Sequence, residues 1–130
     1  MTDGGNTDGR ELLAAAYRDF NGRRIDAVLE RMHPDVEWAN GMEGGYVHGR
    51  EGVRAYWIRQ FGILDPHVEP LGIDPVRNGS PEGRWIVRVH QVVRDLKGNI
   101  LLDTHVQHAY RISGGLIERM DIEAAAEQTR

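Results

Sequence analysis

The apolar residues of this chain change period once, near Pro66. Before it they recur three and four apart, the spacing of one helix face. After it they recur at every second position, the spacing of one strand face. A chain that places helices first and a run of strands last is bound to an α+β layout, because βαβ units would interleave the two. At 130 residues it is expected to form one domain with one sizeable core.

In the helical half, Asp8 and Glu11 have capping-box spacing and open a first helix. Leu12, Leu13, Ala16, Tyr17 and Phe20 form its stripe, and Gly22 closes it. Residues 1–9 are polar and glycine-rich and read as a flexible tail before a domain spanning 10–130. Ile25, Val28, Leu29 and Met32 mark a second helix, which Pro34 ends. Val36 to Ala39 is a short strand and Tyr46 to His48 an extended piece. A third helix follows Gly49, with Val53, Tyr56, Trp57, Gln60 and Phe61 on one face.

In the strand half, Pro70, Gly72 and Pro75 break the segment 68–76, as suits an edge strand or a bulge. Asn78-Gly79-Ser80-Pro81 is a turn. Trp85, Val87, Val89, Gln91 and Val93 share a face. Across the Lys97-Gly98-Asn99 hairpin, so do Leu102, Thr104, Val106, His108, Tyr110 and Ile112. Beyond Ser113-Gly114-Gly115, alternation sets Ile117, Arg119 and Asp121 together on the last strand. The tail after Ala124 either extends that strand or frays.

The charge balance removes several function classes. Sixteen Lys and Arg against 20 Asp and Glu give a net charge of −4, and the Arg residues are scattered, so nucleic acid is not an expected partner. The absence of cysteine excludes a disulfide framework and a thiolate metal site. No apolar run reaches membrane-spanning length, and the N-terminus lacks the pattern of a signal peptide. A cytoplasmic domain is the expectation. His105 and His108 are three apart and face opposite sides of a strand, so no metal site is expected of them.

Three stretches carry a family likeness: His33-Pro34-Asp35-Val36-Glu37-Trp38, the run His48 to Trp57, and the run Tyr110 to Asp121. In this order and spacing the chain resembles SnoaL-like domains of the nuclear transport factor 2-like superfamily. The resemblance implies a cone-shaped, curved antiparallel sheet wrapped around three N-terminal helices, with an apolar cavity between them. It also implies a homodimer joined through the sheet and no cofactor. Relatives of this kind include polyketide cyclases, ketosteroid isomerases and limonene epoxide hydrolases.

The resemblance makes Asp121 the candidate general acid/base. Facing an apolar cavity, its carboxyl would have a raised pKa, suited to proton transfer. An ion pair with Arg119, or a place at the open rim of the cone, is the competing reading, and Arg119 itself is a candidate ligand contact. His108, on an apolar strand face, is the second candidate catalytic residue, as donor or proton relay; a satisfied core histidine is its alternative. Tyr17 falls near the place of an isomerase's oxyanion-hole tyrosine. Trp38 stands roughly where the isomerase base would be and cannot accept a proton, and Asn40 beside it is no base either. Val106 and His108 occupy the positions of the hydrolase Arg and Asp. Trp38, Asn40, Trp57 and Gln91 complete the expected ligand-contacting set. The readings that remain are cofactor-free acid/base chemistry, a cyclisation or isomerisation, on a hydrophobic cyclic or polyketide-like carbonyl compound, or a non-catalytic role of the same fold, as a binder of a hydrophobic small molecule or as a dimeric interaction module.

Overall fold

The computed structural model describes residues 4–41, 43–76 and 83–124, with side chains from residue 9 onward. The elements run α1 Gly4–Asn21, α2 Ile25–Leu29, β1 Met32–Ala39, β2 Tyr46–His48, α3 Gly49–Phe61, β3 Leu64–Pro75, β4 Arg84–Asp95, β5 Ile100–Ser113 and β6 Leu116–Ala124. This is the α+β fold expected: three helices against one six-stranded curved open sheet, in the order β2-β1-β6-β5-β4-β3. β1 and β6 run parallel while the other described pairs are antiparallel, so the sheet is mixed. The turn expected at residues 78–81 and the tail after Ala124 lie outside the described residues, as do residues 1–3.

α1 begins at Gly4, before the Asp8 cap that the sequence suggests, and so takes in part of the expected tail. Its buried face is Leu13, Ala16 and Tyr17, the stripe read from helical spacing. The helix ends through Arg23, not Gly22: the positive φ of 63° belongs to Arg23. Gly22 instead leaves room for the Arg24 guanidinium, which a Cβ there would meet at 2.4 Å. Arg23 holds its uncommon conformation by donating to Pro66 O at 2.8 Å and by lying over the Phe61 ring. Arg24 reaches Asp19 at 2.9 Å, and Arg31 donates to its other oxygen at 3.1 Å.

Met32 belongs to β1 rather than to α2. Gly49 has φ +74° with Pro34 O only 3.3 Å from the place of a Cβ, so glycine suits the turn into α3. β3 is an edge strand carrying three prolines, with a bulge between Pro70 and Gly72, as its composition requires. Asn21 closes part of that edge, donating to Val68 O at 2.8 Å and accepting from Val68 N at 3.0 Å.

The inner face of the sheet and the apolar faces of α1 and α3 build the core, in which Leu13, Met32, Val53, Trp57, Trp85 and Ile117 are wholly or almost wholly buried. Phe20 and Trp38 each set an edge against Trp57, with ring centroids 5.1 and 5.4 Å apart. These rings do not fill the space between helices and sheet.

Candidate functional site: a cavity with one polar chain

Between α1, α3 and the concave face of the sheet lies a cavity of about 470 Å³. That is the size of a small-molecule site. Its wall is apolar, and none of its described lining residues is Asp, Glu, Lys or Arg. Leu101, Leu102 and Ile122 line the cavity and are themselves solvent-exposed, so its mouth opens where they stand. Leu101 is there because β5 bulges between its pairings with Val93 and Arg94.

Across the cavity wall runs a hydrogen-bonded chain of three side chains. The Tyr110 hydroxyl donates to the Tyr17 hydroxyl at 2.9 Å, and the Tyr17 hydroxyl stands 2.6 Å from His108 Nδ1. Two elements far apart in sequence supply it. α1 presents Tyr17 from its buried stripe, and β5 presents His108 and Tyr110, two residues apart on its cavity face. The Tyr17 and His108 rings lie near parallel, their centroids 5.8 Å apart.

The need to pair all three groups assigns the tautomer of His108. With the Tyr17 oxygen accepting from Tyr110, donation from Tyr17 to Nδ1 is the arrangement that leaves neither hydroxyl proton without an acceptor. Nδ1 is then an acceptor, and the ring proton resides on Nε2. The reverse polarity would leave the buried Tyr110 O–H with no acceptor among the described residues. Nε2 has no protein partner among the described residues and is free for an occupant of the cavity. Burial keeps every member neutral: it lowers the His108 pKa from 6.5 to about 4, raises Tyr17 well above its ordinary value, and raises Tyr110 too. The cavity thus presents a neutral N–H donor at neutral pH.

Asp121 is not part of this arrangement. Ile112 pairs with Ile117 and Arg111 with Arg119, so one step on β5 matches two on β6 and Glu118 is an extra residue. That bulge reverses the alternation. Ile117, Met120 and Ile122 face inward, whereas Arg119 and Asp121 face outward, which corrects the expected sharing of a face by Ile117 and Asp121. On the outer face Arg119 donates to Asp121 at 2.9 Å and to Glu37 at 2.6 Å, and the Tyr46 hydroxyl donates to Asp121. The Arg119 guanidinium holds the Asp121 carboxyl below the usual carboxylate value, the opposite of the raised pKa expected.

Asn40 is buried but turned into its own loop, donating to Glu43 at 3.0 Å and accepting from Glu43 N at 2.8 Å. Tyr17, Trp38, Trp57, Gln91 and His108 do line the cavity; Asn40, Arg119 and Asp121 are not among the described lining residues. Tyr110 and Thr104 line it as well and had no role assigned from sequence. Their signal was present, since both share the strand face of His108.

An Asp121→Asn variant is therefore expected to leave ligand affinity in the cavity unchanged. It should cost about 0.5–1 kcal/mol of stability at neutral pH in urea unfolding, the scale of a partly exposed ion pair. Because the folded carboxyl is the stronger acid, that difference should be full above the ordinary carboxylate pKa. It should vanish as the pH falls through the lowered value.

A family model described as a SnoaL-like domain matches residues 13–120. No functionally curated protein matches the chain. Among solved structures, the chain is similar to TerC co-crystallised with polyporic acid, with 26% identity, 88% of this chain and 89% of that chain covered, and a TM-score of 0.74. It is also similar to an NTF2-like protein of unknown function from Burkholderia pseudomallei, at 21% identity, 90% coverage of both chains and a TM-score of 0.76. A third is a Mycobacterium tuberculosis protein in complex with estradiol-17β-hemisuccinate, at 17% identity, 87% and 90% coverage and a TM-score of 0.74. The last two likenesses concern the fold alone. With the family model spanning most of its length, the chain belongs to the SnoaL-like domain family.

Proposed function

We propose that this protein binds a hydrophobic cyclic or polyketide-like carbonyl compound in its cavity and that His108 Nε2–H polarises the carbonyl oxygen. The observation that carries this reading is the Tyr110–Tyr17–His108 chain ending on a largely apolar wall with no charged residue among its described lining. A fixed donor at the oxygen stabilises enolate charge as it develops, and the α-proton passes to solvent water, since no described lining residue is a carboxylate. The chemistry it favours is cofactor-free isomerisation or cyclisation. His108 is the catalytic residue, Tyr17 holds it, and Trp38 and Trp57 offer ring surface to the ligand. Solved relatives in complex with polyporic acid and an estradiol derivative support a small organic ligand.

Non-catalytic binding in the same cavity is the second reading. What favours it is the absence of Asp and Glu among the described lining residues, which leaves no carboxylate to take a proton from carbon.

Titration with 2-acetonaphthone, followed by tryptophan fluorescence, tests the binding. Wild type should be quenched, and His108→Phe should bind about tenfold more weakly, the loss of one buried hydrogen bond. Equal affinity in both would contradict the role of His108. Deuterium uptake at the ketone's α-carbon in heavy water separates the readings. Uptake that depends on His108 indicates catalysis, and a ligand recovered unlabelled indicates binding alone.

A further inference from the structure

Gln91 and Thr104 stand directly opposite one another on β4 and β5, both on the cavity wall and both half-buried. Each interrupts an apolar face: Val89 and Val93 flank Gln91, and Leu102 and Val106 flank Thr104. Neither the amide nor the hydroxyl has a hydrogen-bond partner among the described residues. An amide offers two N–H donors and an acceptor, and a hydroxyl offers one donor and can also accept. Such a pair is poorly explained by packing, for which valine or leucine would serve better.

Thr104 precedes His108 by four residues on the same strand face, so their Cα atoms are about 13 Å apart. Val106 and its partner Val89 lie between them. The wall thus sets a donor and a polar pair about 13 Å apart with an apolar strip between them. With no formal charge on any described lining residue, a charged group on the ligand would be buried without a partner.

We propose that Gln91 and Thr104 form a second polar station. The ligand is then an uncharged, elongated ring compound with an acceptor oxygen at each end, one on His108 and one on Gln91–Thr104. Side-chain reach at both ends shortens the span to that of a tri- or tetracyclic frame. This rests on the cavity being a ligand site, as proposed above, and adds length, neutrality and the second contact.

Three rigid probes test it: androstenedione, with oxygens on both terminal rings; its analogue lacking the D-ring oxygen; and the analogue bearing a carboxylate there. Each is titrated against wild type and the double variant Q91L/T104V. The diketone should lose about tenfold in affinity on going to the double variant, while the single-oxygen probe changes less than twofold and so also reports that the variant is folded. At pH 8 the carboxylate should bind wild type at least tenfold more weakly than the diketone. Equal losses for diketone and single-oxygen probe, no loss for either, or a carboxylate as tight as the diketone would each overturn the proposal. If 2-acetonaphthone binds and none of the three probes does, the second station fails while the cavity reading stands. If 2-acetonaphthone does not bind either, the underlying reading fails with it.

Discussion

Between pH 6.5 and pH 4 the wild-type chain is expected to lose about 3 kcal/mol of stability that a His108→Gln variant keeps. Above pH 6.5 the imidazole is neutral in the folded and the unfolded chain, and pH has no purchase on the site. Below it the unfolded chain takes up a proton, and the folded chain does not until about pH 4. Acid therefore favours unfolding across this window, and the stabilising contribution is full above the ordinary pKa and lost towards the lowered one. Burial is the cause: a charged imidazole at this place would lose its hydration without gaining a carboxylate. Glutamine cannot titrate, yet it can still accept from Tyr17, so the variant isolates the proton from the packing. Urea midpoints measured every half unit of pH give the two curves. Parallel curves would mean that His108 is solvated and not buried as described.

The second large effect concerns Tyr17. Tyr17→Phe removes one oxygen and leaves two buried polar groups without their partners, the Tyr110 O–H and His108 Nδ1. At about 1–3 kcal/mol for each orphaned group, less what water from the mouth restores, the expected loss is about 2–4 kcal/mol. The variant should also release the tautomer, since nothing then points a proton at Nδ1. Ligand affinity should fall with it, although Tyr17 need not donate to the ligand. Tyr110→Phe makes the informative comparison: Tyr17 keeps its bond to Nδ1 and only one donor is lost, so the stability cost should be smaller. Equal, negligible costs in urea unfolding would show that the two hydroxyls and the imidazole do not act as a chain.

Much of this site is legible in the alternation of β4 and β5. Gln91, Thr104, His108 and Tyr110 reach the cavity because the pairing of these strands is regular from Arg84 to Val93. Legibility stops at β6, where one extra residue at Glu118 turns Asp121 outward. The apolar residues Ile117, Met120 and Ile122, spaced three and then two apart, carry the mark of that bulge; strict twofold counting from Ile117 passes over it. Asn40 escapes for another reason, because a loop side chain can be buried by bonding to its own turn. The Tyr17–His108 bond joins residues 91 positions apart, and no local pattern announces such a contact. Helical spacing places Tyr17 on the buried face of α1, and alternation places His108 on the inner face of β5. Only the closure of helix over sheet brings them together.

The most direct test of the Tyr110–Tyr17–His108 chain is the protonation state of His108, read by nitrogen-15 NMR of the imidazole in the free protein. The ring is expected to be neutral at pH 7 with its proton on Nε2, to stay neutral as the pH falls and to titrate only near pH 4. A proton on Nδ1, or titration near the ordinary value of 6.5, would contradict it, because the cavity would then lack the fixed donor on which the proposed function depends.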